Sequence, residues 1–372
     1  MTVTDAGVGG TATRECADVD ATPARAPRDP WFDNARATAA VLIVLGHVLE
    51  RTALDRDTFA AVWAATWPFR IPAYVLLAGW FSSARALDAR RVGILVRDLL
   101  LVYLLFACVH IAQGRHDVTG SWLADLAFPP LGTWFLLSLF TWRLMLPLVA
   151  RVPGLLGWAV AAAVLVGFVD GVNWQYSASH TVAMFPLFLL GARLRTTDLR
   201  SRLDSARARP AALAFLVAAL VCGVAFHELD GVAFAMNDPY ASTTLSTWGD
   251  PVLRLVLLAA GGAGAVALLT LVPRDRIPFV TYLGTGSMYV YVLHIVVLVE
   301  LDRSDVLARA GAPAEIAVVV VGTVVACAVL ASPPVRAVFR PIVQPRFAWQ
   351  ALARRRSAAQ GAGRASSVST SA

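Results

Sequence analysis

The stretch Asp33-Asn-Ala-Arg36-Ala-Thr-Ala-Ala-Val-Leu-Ile-Val-Leu-Gly46-His47-Val-Leu-Glu50 is an apolar run long enough to enter a bilayer, with an arginine and a histidine eleven residues apart. An α-helix turns about 100° per residue, so eleven steps return to within roughly 20° of the start and place Arg36 and His47 on one face. At about 1.5 Å of rise per residue the two stand roughly 16 Å apart along the axis, about half of a hydrocarbon core. Asp33 and Glu50 fall near the same stripe, three residues beyond each end. Ionisable groups on one face of a membrane helix are costly, and they usually line a polar cavity or bind something.

The rest of the chain has the same character. It has 372 residues, of which 58% are hydrophobic and 15% charged; a soluble chain carries about a quarter charged residues. Its mean hydropathy is positive, and the apolar residues come in runs of roughly 17 to 23, which predicts an all-α, polytopic integral membrane protein. The runs at 31–49, 59–81, 99–112, 132–150, 155–170, 181–194, 211–226, 252–271, 279–300 and 315–331 give about ten transmembrane helices.

Charge orients them. The net charge is +7 and every basic residue is arginine. If the N-terminus is cytoplasmic, 23 arginines fall inside and five outside, with Arg36, Arg70, Arg143 and Arg254 within spans. An inside excess of that size predicts both termini in the cytoplasm and a multi-pass protein of the cell membrane, here the bacterial inner membrane. Because the arginines sit beside apolar runs, topology explains the basic pI better than nucleic-acid binding does. Cys16, Cys108, Cys222 and Cys327 are far apart, a spacing that supports neither a disulfide framework nor a metal site. Residues 1–28 read as a disordered cytoplasmic tail rather than a signal peptide. Residues 29–333 form the transmembrane domain, and 334–372 a basic, partly disordered cytoplasmic tail whose Phe, Trp and Arg residues suit the anionic inner leaflet. The acidic loop 227–250, with Phe234, Tyr240 and Trp248, is either a lid over an outward-facing site or a solvated loop.

Among the chemistry-bearing residues, His47 has company. A neutral imidazole in an apolar site is a competent base for a hydroxyl group, Glu50 one turn on can hold its ring, and Arg36 can hold an anion. His294 follows Gly284-Thr-Gly286-Ser287, which can interrupt a helix and line a cavity, making it a supporting or acceptor-site candidate. That glycine pair lacks the third glycine and the βαβ setting of a dinucleotide site, and Gly261-Gly-Ala-Gly264 reads as close helix packing. Arg143 and Arg254 read first as interfacial side chains that snorkel, and second as lining of the cavity. His110, His116, His180 and His227 receive no role.

The order of short blocks carries a resemblance. Asp33-Asn-Ala-Arg36, then ten residues, then His47 resembles the first-helix signature of the acyltransferase-3 family of integral membrane O-acyltransferases. Phe69-Arg-Ile-Pro72-Ala-Tyr-Val-Leu-Leu-Ala78-Gly79-Trp80-Phe81, Trp134-Phe-Leu-Leu-Ser138-Leu and Phe185-Pro-Leu-Phe-Leu-Leu-Gly191 resemble its following blocks. Leu283-Gly-Thr-Gly-Ser287-Met-Tyr-Val-Tyr291-Val-Leu-His294 resembles its late block. The Phe185–Gly191 block and the Asp-Asn start look nearest to the fucose 4-O-acetylase-like branch. Three residues depart from the pattern: Ala78 stands where serine is usual, Ile71 where methionine is, and Arg70 where that branch often has histidine.

The resemblance implies transfer of an acyl group, commonly acetyl, from a cytoplasmic acyl-coenzyme A to a hydroxyl of a carbohydrate, glycolipid or glycosylated natural product, without a metal. His47 and Arg36 take the family's histidine and arginine positions. Arg85, Arg90, Arg91 and Arg97 are the candidates for the donor's phosphates, since arginine binds phosphate well, although topology and inner-leaflet lipid account for them too. Two mechanisms stay open. In one, His47 is the general base while Arg36 or a helix terminus stabilises the oxyanion; in the other an acyl group passes through His47 itself. The alternative from another class is a transporter or flippase that uses Arg36 and His47 to bind an anion or relay protons. On the acyltransferase reading, the first helix spans the membrane with donor recognition at its Arg36 end and proton transfer at its His47 end.

Overall fold

The computed structural model describes residues 29–114, 118–197, 199–225, 236, 238–242 and 249–345. The expected tail at 1–28, the tail beyond 345, and most of the 227–250 loop lie outside these residues. The described residues are 77% helix and contain no strand.

Helix α1 (Pro30–Leu49) starts where Asp29 accepts a hydrogen bond from the Trp31 backbone N–H, and Pro30 occupies the first turn, where its missing N–H costs nothing. Its alanines let neighbours approach from every side. Ala35 and Ala39, four residues apart, belong to one apolar cluster with Phe69, Ala73, Leu76 and Leu268. Ala37, Val44 and Val48 belong to another with Leu283, Val290, Leu298 and Cys327. The first helix is therefore a central post with a helical layer on either face.

After it come α2 (Arg56–Thr66), a 3-10 turn at Trp67–Phe69 and α3 (Ile71–Trp80). Then α4 (Ala89–Leu95) continues through a π-helical turn into α5 (Leu101–Ala112), followed by the short α6 (Trp122–Asp125) and α7 (Trp134–Val149). The middle of the chain supplies α8 (Leu155–Leu165), α9 (Ala178–Ala183), α10 (Phe185–Leu194), α11 (Leu199–Leu203) and α12 (Ala208–Ala225). Last are α13 (Gly249–Leu271), α14 (Pro278–Thr285), α15 (Ser287–Arg303), α16 (Pro313–Leu330) and α17 (Pro333–Val343).

Every one of the ten predicted spans falls on helix, but not every one is an unbroken rod. Among the described residues, six helical stretches are long and apolar enough to cross a membrane, or seven if the bent pair α14–α15 counts as one span. Leu155–Phe168 and Phe185–Leu194 are apolar but shorter. The expected span 59–81 is α2 and α3 with a break at 67–70, because Pro68 and Pro72 each remove an amide donor from the ladder. The expected span 279–300 bends by 73° between α14 and α15, where Gly286 separates them. Interrupted helices leave backbone groups to be satisfied by neighbours, which in a membrane happens inside protein or against a polar cavity.

Small residues set the crossings. A Cβ on Gly79 would collide with the Phe188 carbonyl, and a Cβ on Gly191 with the Leu76 carbonyl, so α3 and α10 meet backbone to backbone. Gly284 lets α14 lie against the Asp33 backbone of α1 in the same way. Gly261 and Gly264 of α13 receive Pro72 and Pro68, which is the close packing their spacing suggests. The periphery is apolar and open: Val217, Val221 and Val224 of α12 and Val318, Val321 and Val325 of α16 are exposed, as surfaces facing lipid are. Of the expected C-terminal tail, residues 334–343 lie in α17, whose Val335 and Phe339 pack on the core and whose Val343 is buried.

Candidate active site

The two ends of α1 have different company. At the N-terminal end the Arg36 guanidinium is bonded to the Asp33 carboxylate and donates to the Phe32 carbonyl at 3.3 Å. Asp33 is buried at 2% side-chain exposure, Arg36 is 34% exposed, and the Phe81 ring lies 5.2 Å from the guanidinium. Asn34 is buried beside them; it donates to the Pro273 and Asp275 carbonyls at 3.0 and 2.9 Å and accepts from the Thr281 hydroxyl at 2.8 Å. The Asp-Asn start of the motif therefore ties α1 to the turn before α14 and neutralises Arg36.

At the other end His47 stacks on His294 of α15, with ring centroids 5.7 Å apart and planes 20° apart. Its Nδ1 is 3.8 Å from a Glu50 carboxylate oxygen, a charge contact longer than a hydrogen bond. Arg51 brackets the same carboxylate at 3.3 Å, donates to the His47 carbonyl at 2.7 Å and pairs with Asp302 of α15 at 3.0 Å. Beside His47, and helped by Arg51, the Glu50 carboxyl is held below its ordinary value of 4.5 although burial opposes this. His294 is 3% exposed; its Nδ1 faces the Val290 carbonyl at 3.0 Å, and its Nε2 has no hydrogen-bond partner. If Nδ1 carries the proton, Nε2 is a free buried acceptor.

Aromatic rings extend the cluster. Tyr291 lies 6.1 Å from the His294 ring and stacks at 5.4 Å on Tyr74 of α3, and both pack edge-on against Phe135. The Tyr291 hydroxyl donates to the Gly132 carbonyl. On the far side of the histidines, Val44, Val48, His294, Leu298, Thr323 and their neighbours line an apolar cavity of about 240 Å³ between α1, α15 and α16.

The loop arginines divide. Arg91 is 3.9 Å from Asp88 and Arg97 2.8 Å from Asp98, whereas Arg85 and Arg90 are exposed and make no ion pair among the described residues. The sequence reading missed two others. Arg143 donates to the Ser82 hydroxyl at 3.1 Å, and Arg195 to the Ser82 carbonyl at 2.9 Å, so both converge on the turn next to Phe81, against which Arg36 sits. Neither snorkelling residue behaves as expected. Arg143 reaches inward to that turn, and Arg254 is 4% exposed, bonded to the Ala163 and Asp238 carbonyls at 3.3 Å and stacked at 4.6 Å on Tyr240. A helix interior offers them carbonyls and ring faces that lipid does not. His180, which also received no role, stacks at 4.1 Å on Trp134 with its Nδ1 unpartnered. Only a contact between distant helices reveals these positions, since no local pattern marks them. Among the described residues, no group of three His, Cys, Asp or Glu is placed to hold a metal ion.

A bundle of apolar helices around a stacked imidazole pair, one ring buried and one partly exposed, with arginines and two interrupted helices, defines a multi-pass membrane protein with an internal polar site. A family model described as an acyltransferase domain matches residues 29–332, and the chain belongs to that family, the acyltransferase-3 family of membrane acyltransferases. No curated protein and no solved structure matches the chain.

Proposed function

We propose that the chain is an O-acyltransferase that moves an acyl group, acetyl in the simplest case, from acyl-coenzyme A to a hydroxyl of a carbohydrate, glycolipid or glycosylated natural product. The observation that carries this reading is His47, set in a polar cluster with Glu50 at 3.8 Å and His294 stacked at 5.7 Å, within a chain that belongs to an acyltransferase family. His47 takes the proton of the acceptor hydroxyl as its oxygen attacks the thioester carbonyl carbon. The carbonyl π electrons move onto oxygen, and the resulting tetrahedral adduct collapses to the ester. The coenzyme A thiolate leaves and regains the proton from the His47 imidazolium. Glu50 favours the protonated ring during this step, and His294 orients it.

Ten crossings with both termini cytoplasmic, in a bacterial inner membrane, fit the arginine distribution. The donor's phosphates are then met at the cytoplasmic end by the Arg36, Arg143 and Arg195 group with Arg85 and Arg90, and Arg91 and Arg97 serve through their Asp-held positions. The thioester lies along α1, roughly 16 Å from Arg36 at His47. The acceptor class follows the resemblance to the fucose 4-O-acetylase-like branch.

The test is transfer of radiolabel from acetyl-coenzyme A to a panel of sugars and glycolipids by purified protein in liposomes. Wild type transfers label, and His47→Ala does not while remaining folded. Retained full activity in His47→Ala overturns the role of His47. Quenching the reaction in the absence of acceptor leaves unlabelled protein if His47 is a base and acyl-labelled protein if it is a relay.

A further inference from the structure

Among the described residues, Arg70 is the arginine with a buried guanidinium nitrogen left unpartnered. It lies at the break between α2 and α3 and is 4% exposed. Its guanidinium donates to the Trp63 carbonyl at 3.1 Å and lies 4.8 Å over the Trp63 ring, but its Nε has no partner and no carboxylate oxygen is within 4.0 Å among the described residues. Arg36, by contrast, has Asp33. A guanidinium sealed from water without a counter-ion is expensive, and a ring face and one carbonyl offset only part of that cost.

The place it occupies is specific. A Cβ on Gly46 would collide with the Arg70 Nη1, so the residue before His47 lacks a side chain where the guanidinium passes. Glu50, on the next turn, is the carboxylate whose charge reaches Arg70, and it is already engaged by His47 and Arg51. A positive charge is thus held against the residue that precedes the base, by a break in one helix and a gap in another. Arg36, paired and roughly 16 Å away along α1, is out of reach of chemistry at His47.

We infer that the Arg70 guanidinium, seated against Gly46 next to His47, receives the negative charge that develops on the acyl donor's carbonyl oxygen during transfer. This inference rests on the reading of His47 as the base. As the acceptor oxygen bonds to the carbonyl carbon and its proton passes to His47, the C=O electron pair becomes an oxyanion that accepts hydrogen bonds from the free N–H groups of Arg70. Collapse returns that pair to the carbonyl, breaks the C–S bond and releases the thiolate, which takes the proton from His47. In a water-excluded site a fixed cation aimed at a transient anion counts for more than in water, and it does its work without reorganising. Lysine at this position presents a point charge on another geometry, so it substitutes only in part.

The experiment is steady-state acyl transfer from acetyl-coenzyme A by purified Arg70→Gln, Arg70→Lys, Arg70→Ala, Gly46→Ala and His47→Ala in liposomes, with thermal unfolding of each. Arg70→Gln is expected to lower kcat about 10²- to 10³-fold, with KM for acetyl-coenzyme A within about threefold of wild type. Arg70→Lys falls between, and methylguanidinium restores part of the activity of Arg70→Ala. Gly46→Ala lowers kcat without lowering the melting temperature, because the added methyl meets the tip of a flexible side chain. If Arg70→Gln keeps its kcat, or loses only KM, while His47→Ala is inactive, this inference is overturned and the His47 reading stands. If His47→Ala is itself active, the underlying reading has failed. Should Arg70→Gln unfold while Gly46→Ala is folded and fully active, Arg70 is structural and the inference is again overturned.

Discussion

The two ends of the first helix carry similar residues and have opposite electrostatic states. At the Asp33 end, a buried carboxylate and a partly exposed guanidinium neutralise each other, and Asn34 satisfies its own amide and carbonyl oxygen within the protein. At the His47 end, the Nε2 of His294 and the Nε of Arg70 are buried without partners. A closed set of contacts holds helices together, while an open set waits for a ligand or for charge that appears only during a reaction. The same chemistry, an arginine in a membrane helix, is thus charge-compensated at one end and uncompensated at the other.

Loss of His47 should have the largest effect, since a positioned general base contributes about 10²- to 10⁴-fold to a proton-coupled step. His47→Ala at preserved melting temperature with kcat lowered by that amount supports the division, and a variant that fails to fold instead places His47 among the structural contacts.

Gly284 and Gly46 sharpen the comparison next. At Gly284 a methyl meets the Asp33 backbone, which cannot turn aside, so Gly284→Ala should destabilise the protein by about 1–3 kcal/mol in detergent unfolding. At Gly46 the methyl meets the Arg70 side-chain tip, and Gly46→Ala should leave stability intact and cut activity. Equal stability losses in both would erase the distinction.

Asp33→Asn takes the counter-charge from Arg36 and should cost about 1–2 kcal/mol, less than a fully buried pair would, because Arg36 is partly solvated. Its kinetic effect should fall on KM for acetyl-coenzyme A and spare kcat, measured in the same liposome assay. The opposite split would move Arg36 into the chemical step.

Glu50→Gln should have the smallest effect, a change of a few-fold in kcat. The folded-state value of Glu50 lies below 4.5. Its favourable contribution is therefore complete above that value and is lost only as the pH falls through the lowered one. Between pH 5 and pH 8, wild type and Glu50→Gln should show parallel stability profiles, and their melting temperatures should converge in more acidic buffer. Divergence near neutrality would mean that Glu50 titrates there, and that His47 does not hold it ionised.

Much of this was legible in the residues. Blocks of apolar sequence mark helices because, in lipid, each backbone amide must be satisfied within its own segment. The eleven-residue spacing of Arg36 and His47 fixes their common face by helical geometry alone. The glycines at 284 and 286 announce where one helix breaks, whereas the break at 67–70 lies inside what reads as a single span. His294 was visible as a candidate because it follows such a break, and the ordered blocks pointed to the family.

Tertiary structure alone decided which buried charges stay uncompensated. Arg36 and Arg70 look alike as arginines within spans, yet Asp33 lies one turn from the first on its own helix, and among the described residues no carboxylate pairs with the second. Arg143 and Arg195 converge on Ser82 from helices far apart in sequence, and His47 meets His294 across 247 positions. Hydropathy and periodicity report on a residue's own helix. Whether a buried charge finds a partner depends on which other helices arrive beside it, and that is set by the crossings at Gly79, Gly191 and Gly284 and by the breaks that turn Arg70 and His294 toward the first helix.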